Sequence, residues 1–383
     1  MRAFLLCALA AGAVRAGSPG ALGDPMFYLH DDTYQLTPRR LSQWEAGQIA
    51  QVGNVWVDLG SVEGGRYDAF ERGVFNLELA SRFSLHAELR NDLDAGGRVT
   101  RAVADLLVNV APGLWLGPSG VPAARKQDYG VGGSVLFASA SRRRYLLARL
   151  VADQFLYNRT NVDGGIRASP VLHAQIEGRW EEGAWSLAGS LDAATESETS
   201  FPEATLVTFQ AESRRELFLH GRYAGAALEL DARIDFLRTR SARTELGVSS
   251  ALRQTVAMLR LDALLAPIAG TRWRPRLGLR ALTGEAVGDD AGVPSRLTRR
   301  EPAARIAAQR EDGAALWELG YALAVPVLRR TGGGPAADLA PYQDEVYGSC
   351  DLGFGLISLR GLLSWEVRNS RFGGANVNAL LQF

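Results

Sequence analysis

From residue 50 onward the chain is dominated by a period of two. Ile357, Leu359, Gly361, Leu363, Trp365 and Val367 fall on one face, and Ser358, Arg360, Ser364, Glu366 and Arg368 on the other, with Leu362 the apolar exception. Side chains alternate across an extended strand, so such a segment meets an apolar phase on one side and water on the other. The same division recurs at Leu146, Ala148, Leu150 and Ala152 against Tyr145, Arg149 and Asp153. It returns at Leu228, Leu230, Ala232, Ile234 and Phe236 against Glu229, Asp231, Arg233 and Asp235. Runs of about 10 residues suit a tilted membrane-spanning strand, whereas globular strands average about 5 or 6. No later segment is apolar for the ~20 residues a spanning helix needs. A membrane protein built from this chain is therefore a β-barrel, the other structure that satisfies its backbone polar groups in lipid.

The connections give an independent reading. Short links are expected near 80–82, 111–113, 139–141, 181–183, 224–225, 311–313 and 355, and longer polar ones at 61–71, 92–98, 118–127, 157–169, 195–203, 239–251, 284–300 and 328–342. Such alternation fits short periplasmic turns and long extracellular loops. Ser213-Arg214-Arg215-Glu216 resembles a turn, but Val207, Phe209 and Ala211 share parity with Leu217, Leu219, Gly221 and Tyr223, so 204–223 reads as one strand. The fold expected is all-β: a single transmembrane antiparallel barrel of about 18 strands, with 16 the alternative, and both termini periplasmic. Trp180, Trp185, Tyr223, Trp273, Trp317 and Phe383 fall near periplasmic strand ends, where amphipathic rings sit at headgroup level. Pro275 is the misfit, because a strand-interior proline requires a bulge or a later strand start.

The N-terminus has a different character. Met1-Arg2-Ala3-Phe4-Leu5-Leu6-Cys7-Ala8-Leu9-Ala10 followed by small residues is a secretory signal pattern, with cleavage expected after Ala16 or Ala13. Removing it leaves Cys350 alone, so no internal disulfide is expected. Residues 17–49 form a separate periplasmic segment, in which Thr37-Pro38 marks a helix start and Gly47 a helix end. The barrel then occupies 50–383.

The chain ends Ala375-Asn376-Val377-Asn378-Ala379-Leu380-Leu381-Gln382-Phe383, apolar at each odd position and aromatic at the last. With the N-terminal signal, this resembles the Gram-negative outer-membrane β-barrel proteins. The resemblance covers roughly residues 50–383 and reaches the class, not a subfamily. Its strand count is similar to that of substrate-specific porins and of outer-membrane proteins for surface-polysaccharide export and assembly. It implies residence in the cell outer membrane, lipid and lipopolysaccharide as surroundings, and insertion by the barrel-assembly machinery, which takes up the terminal strand by edge pairing.

Charge composition narrows the function. Lys+Arg and Asp+Glu balance at 42 each, which gives no attraction to nucleic acid. Lys126 is the one lysine, so nearly all positive charge is guanidinium, which suits a confined polar interior. Candidate lumen-lining residues are Arg101, Arg149, Asp153, Asp231, Arg233, Asp235, Arg260, Asp262, Arg274, Arg276 and Arg280, with Asp105, Glu229, Arg305 and Arg360 beside them. An acidic strand near an arginine row is expected to set up a transverse field in a water-filled pore. The same charges, if they pair, simply fill a closed lumen. The four histidines, His30, His86, His173 and His220, include inward ones, but His86 lies ~7 Å along its strand from same-face Ser84 and Glu88, too far for a tight triad. No enzymatic role is therefore expected, and no metal or nucleotide cofactor motif is present. A porin-like channel for small hydrophilic solutes is the first functional reading. A non-conducting factor that handles surface glycan is the alternative.

Overall fold

The computed structural model describes residues 55–63, 66–80, 82–94, 97–121, 129–139, 143–153, 155, 165–168, 170–202, 207–245, 248–290, 293–332, 342–355, 357–368 and 370–382. The expected leader at 1–16, the segment 17–49 with its helix, His30, Lys126 and Phe383 lie outside them.

The strands in chain order begin with β1 Val55–Glu63, β2 Arg66–Ala80, β3 Phe83–Asp94, β4 Gly97–Ala111, β5 Leu114–Val121, β6 Gly130–Ala138 and β7 Arg144–Asp153. They continue as β8 Ile166–Arg167, β9 Val171–Glu182, β10 Trp185–Ser200, β11 Val207–Ala224, β12 Leu228–Glu245, β13 Val248–Leu265 and β14 Trp273–Asp290. The last are β15 Val293–Asp312, β16 Ala315–Ala324, β17 Val327–Gly332, β18 Gln343–Phe354, β19 Ile357–Glu366 and β20 Arg371–Gln382. All belong to one antiparallel sheet in which chain neighbours pair except around the short strands β8 and β17, where β7 pairs with β9 and β16 with β18, and β1 pairs with both β2 and β20. β8 and β9 both lie against β10. β16 and β17 both lie against β15, and the register from Ala303↔Ala324 continues unchanged at Arg300↔Val327. The break between them falls at Val325-Pro326, opposite Pro302, where two residues lack an N–H; Val325 donates its own to the Pro302 carbonyl at 2.9 Å.

Alternation decides the two faces. On one side Leu363 is 63% and Leu279 61% exposed, and Leu230, Ile234, Leu259, Ile306 and Leu319 are exposed with them. On the other, Asp105, Asp235 and Glu301 are completely covered, and Arg233, Arg280 and Arg305 are buried. This is the reverse of a water-soluble protein, in which carboxylates and guanidinium groups face solvent.

Short links stand at one rim where the sequence places them near 181–183 and 311–313. The Glu182-Gly183-Ala184-Trp185 and Asp312-Gly313-Ala314-Ala315 hairpins place glycine at positive φ, 57° and 59°, as primed two-residue turns require. Aromatic residues crowd the same rim: Trp185 and Tyr223 have ring centroids 4.8 Å apart, and the guanidinium groups of Arg144 and Arg310 lie 5.8 and 5.9 Å over Trp180 and Trp273.

The opposite rim requires corrections. Much of what reads as loop at 61–71, 92–98, 195–203, 239–251 and 284–300 is strand. β12 and β13 pair out to Glu245↔Val248, and β14 and β15 out to Asp290↔Val293. Polar residues on both faces hide these extensions from a pattern search, yet a backbone ladder needs no apolar face to continue. Strands β11 to β14 each reach 18 residues and β15 reaches 20, while β5, β6 and β7 have 8, 9 and 10. β11 runs unbroken through Ser213–Glu216.

Pro275 causes neither a bulge nor a late start. It sits third in β14, paired with Ala308 in unshifted register, while the ladder to β13 stops at Leu264↔Arg276. The pair that would follow is Leu265 with Pro275, which has no N–H; the Leu265 carbonyl instead accepts Arg274 Nε at 2.9 Å.

Candidate functional site

The buried face carries its charges in rows that run sideways across the strands. Register aligns His220, Arg233, Arg260 and Arg280 on β11 to β14. One step towards the turn rim lies a row with Asp231, Asp262, Gly278 and Arg305; one step away lie Asp235 and Glu301. Like charges are thus direct neighbours, and the guanidinium groups find carboxylates two residues along their own strand, diagonally on a neighbouring one, or two strands away in the same row.

A continuous chain of contacts results. His220 Nε2 lies 2.6 Å from Asp231 Oδ2, and Asp231 Oδ1 lies 3.3 Å from Arg260 Nη2. Arg260 Nε is 3.1 Å from Asp262 Oδ2. Asp262 also accepts Arg305 Nε at 3.0 Å, and Arg276 Nε is 3.7 Å away. Arg276 Nη1 donates to Glu318 Oε2 at 2.8 Å, and the Tyr347 hydroxyl donates to Glu318 Oε1 at 2.7 Å. Arg305 and Asp262 stand on strands separated by β14, and they meet because Gly278 lies between them: a Cβ there would come within 2.5 Å of Asp262 Oδ1 and 2.7 Å of Arg305 Cγ.

Three smaller clusters adjoin it. Glu301 binds both Arg280 and Arg299, the latter through Nε at 3.0 Å. Arg233 Nε donates to Asp235 Oδ2 at 2.8 Å, and its guanidinium lies 4.8 Å over the Phe218 ring. Arg274 Nη1 donates to Glu229 Oε1 at 2.7 Å. Across the sheet, Asp105 accepts Arg149 Nε at 3.1 Å and also binds Ser119; Arg149 Nη1 reaches Gln175 Oε1 at 2.6 Å. His173 Nε2 is 2.7 Å from Asp153 Oδ2.

Of the residues singled out by sequence, Asp231, Arg260, Asp262 and Arg276 join one network. Arg233 with Asp235 forms a local pair, and Arg149, Asp153, Arg274 and Arg280 each have a carboxylate or histidine partner. Arg101 stands in β4 opposite Arg90 and Arg360 in β19 opposite Asp351; the side chains of Arg101 and Arg360 lie outside the described residues. Sequence reading missed Arg299, Glu301 and Glu318. The first two lie at 284–300 or its border, read as loop, although Arg299, Glu301, Ala303, Arg305 and Ala307 share one parity.

The expected transverse field is not what this arrangement produces. A wall in which carboxylates lie within a few ångströms of the guanidinium groups, some shared as Glu301 is between Arg280 and Arg299, presents mainly short-range dipoles, and these largely cancel over the width of a pore. Removing one partner from such a buried pair is costly, about 3–5 kcal/mol, because the other charge stays covered.

No family model and no curated protein matches the chain. Among solved structures it is similar to a loop-deletion mutant of OmpT, an outer membrane protein of Vibrio cholerae, at 12% identity and TM-score 0.37 over 86% of this chain and 97% of that one. It is similar also to CdiB from Acinetobacter baumannii, at 10% identity and TM-score 0.41 over 86% of this chain and 59% of that one. A third is OccK11 of Pseudomonas aeruginosa, at 13% identity and TM-score 0.32 over 86% of this chain and 95% of that one.

Proposed function

We propose that this chain is a Gram-negative outer-membrane β-barrel that works as a porin-like channel for small hydrophilic solutes. Residues 1–16 are its export signal, 17–49 a periplasmic segment, and 50–383 the barrel, inserted through the barrel-assembly machinery. The observation that carries the membrane reading is the inverted polarity of the sheet. Exposed leucine and isoleucine on one face and covered ion pairs on the other make sense only where lipid bathes the first. Pairing of β1 with β20 supports closure, and counting β8 with β9 and β16 with β17 as single staves gives 18. A barrel of that size is ~35 Å across between backbones, far wider than the eight-strand size that inward side chains fill. Water and small solutes then occupy the centre, and the matched charges of the wall give weak ionic preference instead of the anion preference an unpaired arginine row would confer.

Planar-bilayer recording on the refolded full chain tests this: discrete conductance steps with a reversal potential near zero in a salt gradient are expected. A fully folded barrel that never conducts removes the channel. One observation favours the second reading, an occluded barrel that handles surface glycan: Asp105, Asp235 and Glu301 have no solvent exposure at all. In that case deletion lowers glycan retention at the surface and leaves solute uptake unchanged.

A further inference from the structure

On the exposed face, the apolar belt ends in a band of arginine. Below the boundary, register aligns Leu219, Ile234, Leu259, Ala281 and Pro302 across β11 to β15. Two steps further from the turn rim the row is Arg215, Arg238, Thr255, Glu285, Thr298 and Arg329, and the next is Ser213, Arg240, Arg253, Val287, Arg296 and Thr331. Arg300 stands in the row between belt and band. All seven arginines are exposed.

Acid does not balance them. Glu285 holds Arg296 at 2.6 Å and Glu196 of β10 holds Arg240 at 2.9 Å; Glu198 and Asp289 stand one row further out, which leaves seven arginines against four carboxylates. Arg215, Arg238, Arg253, Arg300 and Arg329 make no ion pair among the described residues. Arg215 with Arg238, and Arg240 with Arg253, are moreover direct cross-strand neighbours. Like charges directly opposite destabilise a sheet. The contrast with the buried face is informative: there each like-charged row is flanked by the opposite sign, and here it is flanked by an apolar belt on one side.

We propose that this band binds the phosphorylated headgroups of a membrane glycolipid, with the acyl chains lying on Leu219, Ile234 and Leu259. Guanidinium groups bind phosphate oxygens bidentately, and Thr255 adds a hydroxyl donor between them. The row from Arg215 to Arg329 crosses five strand spacings, about 24 Å, room for more than one headgroup. The band lies on the rim opposite the short turns, the outer leaflet if those turns are periplasmic. The proposal rests on the membrane reading above.

The test uses the refolded full chain in phosphatidylcholine nanodiscs and measures retention of bisphosphorylated lipid A against its fully dephosphorylated form by native mass spectrometry. At least about tenfold preference for the phosphorylated form is expected, the equivalent of one charge-assisted contact. Arg238→Gln with Arg253→Gln is expected to abolish it, whereas Arg144→Gln with Arg272→Gln at the other rim leaves it intact. Equal retention of the two lipids, an unaffected band variant, or loss in the control variant each overturns the assignment. So does complete displacement by inorganic phosphate, which marks a site for the free anion. Failure of the chain to enter nanodiscs at all overturns the membrane reading itself, and is distinct from a barrel that enters and shows no preference.

Discussion

Arg305 of β15 reaches Asp262 of β13 across the full width of β14, over the bare backbone of Gly278. Any side chain at 278 occupies the space in which the pair meets. Gly278→Val is expected to separate the two charges while both remain covered, at a cost of about 3–5 kcal/mol. The check is the urea midpoint of the barrel in phospholipid vesicles, followed by the gel mobility of unheated samples. An unchanged midpoint would show that the contact contributes nothing.

The Glu301 carboxylate lies between Arg280 and Arg299 and binds both. Glu301→Gln preserves shape but replaces one of two accepting oxygens by a donating amide and removes one negative charge from the inner wall. A channel carrying this change is expected to shift its reversal potential towards anions, while the parent stays near zero. Identical reversal potentials in parent and variant would place Glu301 away from the conducting path.

Leu279 lies midway along the exposed belt. In a bilayer, Leu279→Arg is expected to cost about 2–4 kcal/mol, with a smaller penalty for the same change nearer the rim. A depth-dependent series across Leu277, Leu279 and Val287, measured by folding into vesicles, checks this. A soluble protein would tolerate all three within about 0.5 kcal/mol.

Arg274 performs two tasks, closing the Leu265 carbonyl and binding Glu229. Arg274→Ala leaves the carbonyl opposite Pro275 without its side-chain donor and is expected to cost about 0.5–1.5 kcal/mol. Faster amide exchange confined to residues 264–273 would locate the loss, and exchange spread over the whole sheet would contradict it.

Much of the fold was legible because one physical rule, alternation between two solvents, governs strands such as Leu228–Phe236 and Ile357–Val367. The rule fails where both faces meet water, so the outer halves of β12 to β15 read as loops and carried Arg299 out of view. The short links at Gly183 and Gly313 were readable because they interrupt two alternating runs, and glycine there takes the positive φ a tight turn needs. The charge partners were not, since Asp231 with Arg260 or Arg276 with Glu318 depends on which residues lie side by side on different strands. A single strand cannot encode that. Pro275 misled for a related reason: what matters is whether its neighbour needs the missing N–H, and the neighbouring ladder has already ended there.

The unequal strand lengths have a consequence for the rim. With β11 to β15 of 18 to 20 residues facing β5 to β7 of 8 to 10, the wall of a closed barrel stands about 25 Å taller on one flank by its strands alone. In a barrel closed by the β1–β20 pairing, the rim set by the described strands is therefore oblique. Along that rim β5 to β7 end lowest and β11 to β15 rise highest.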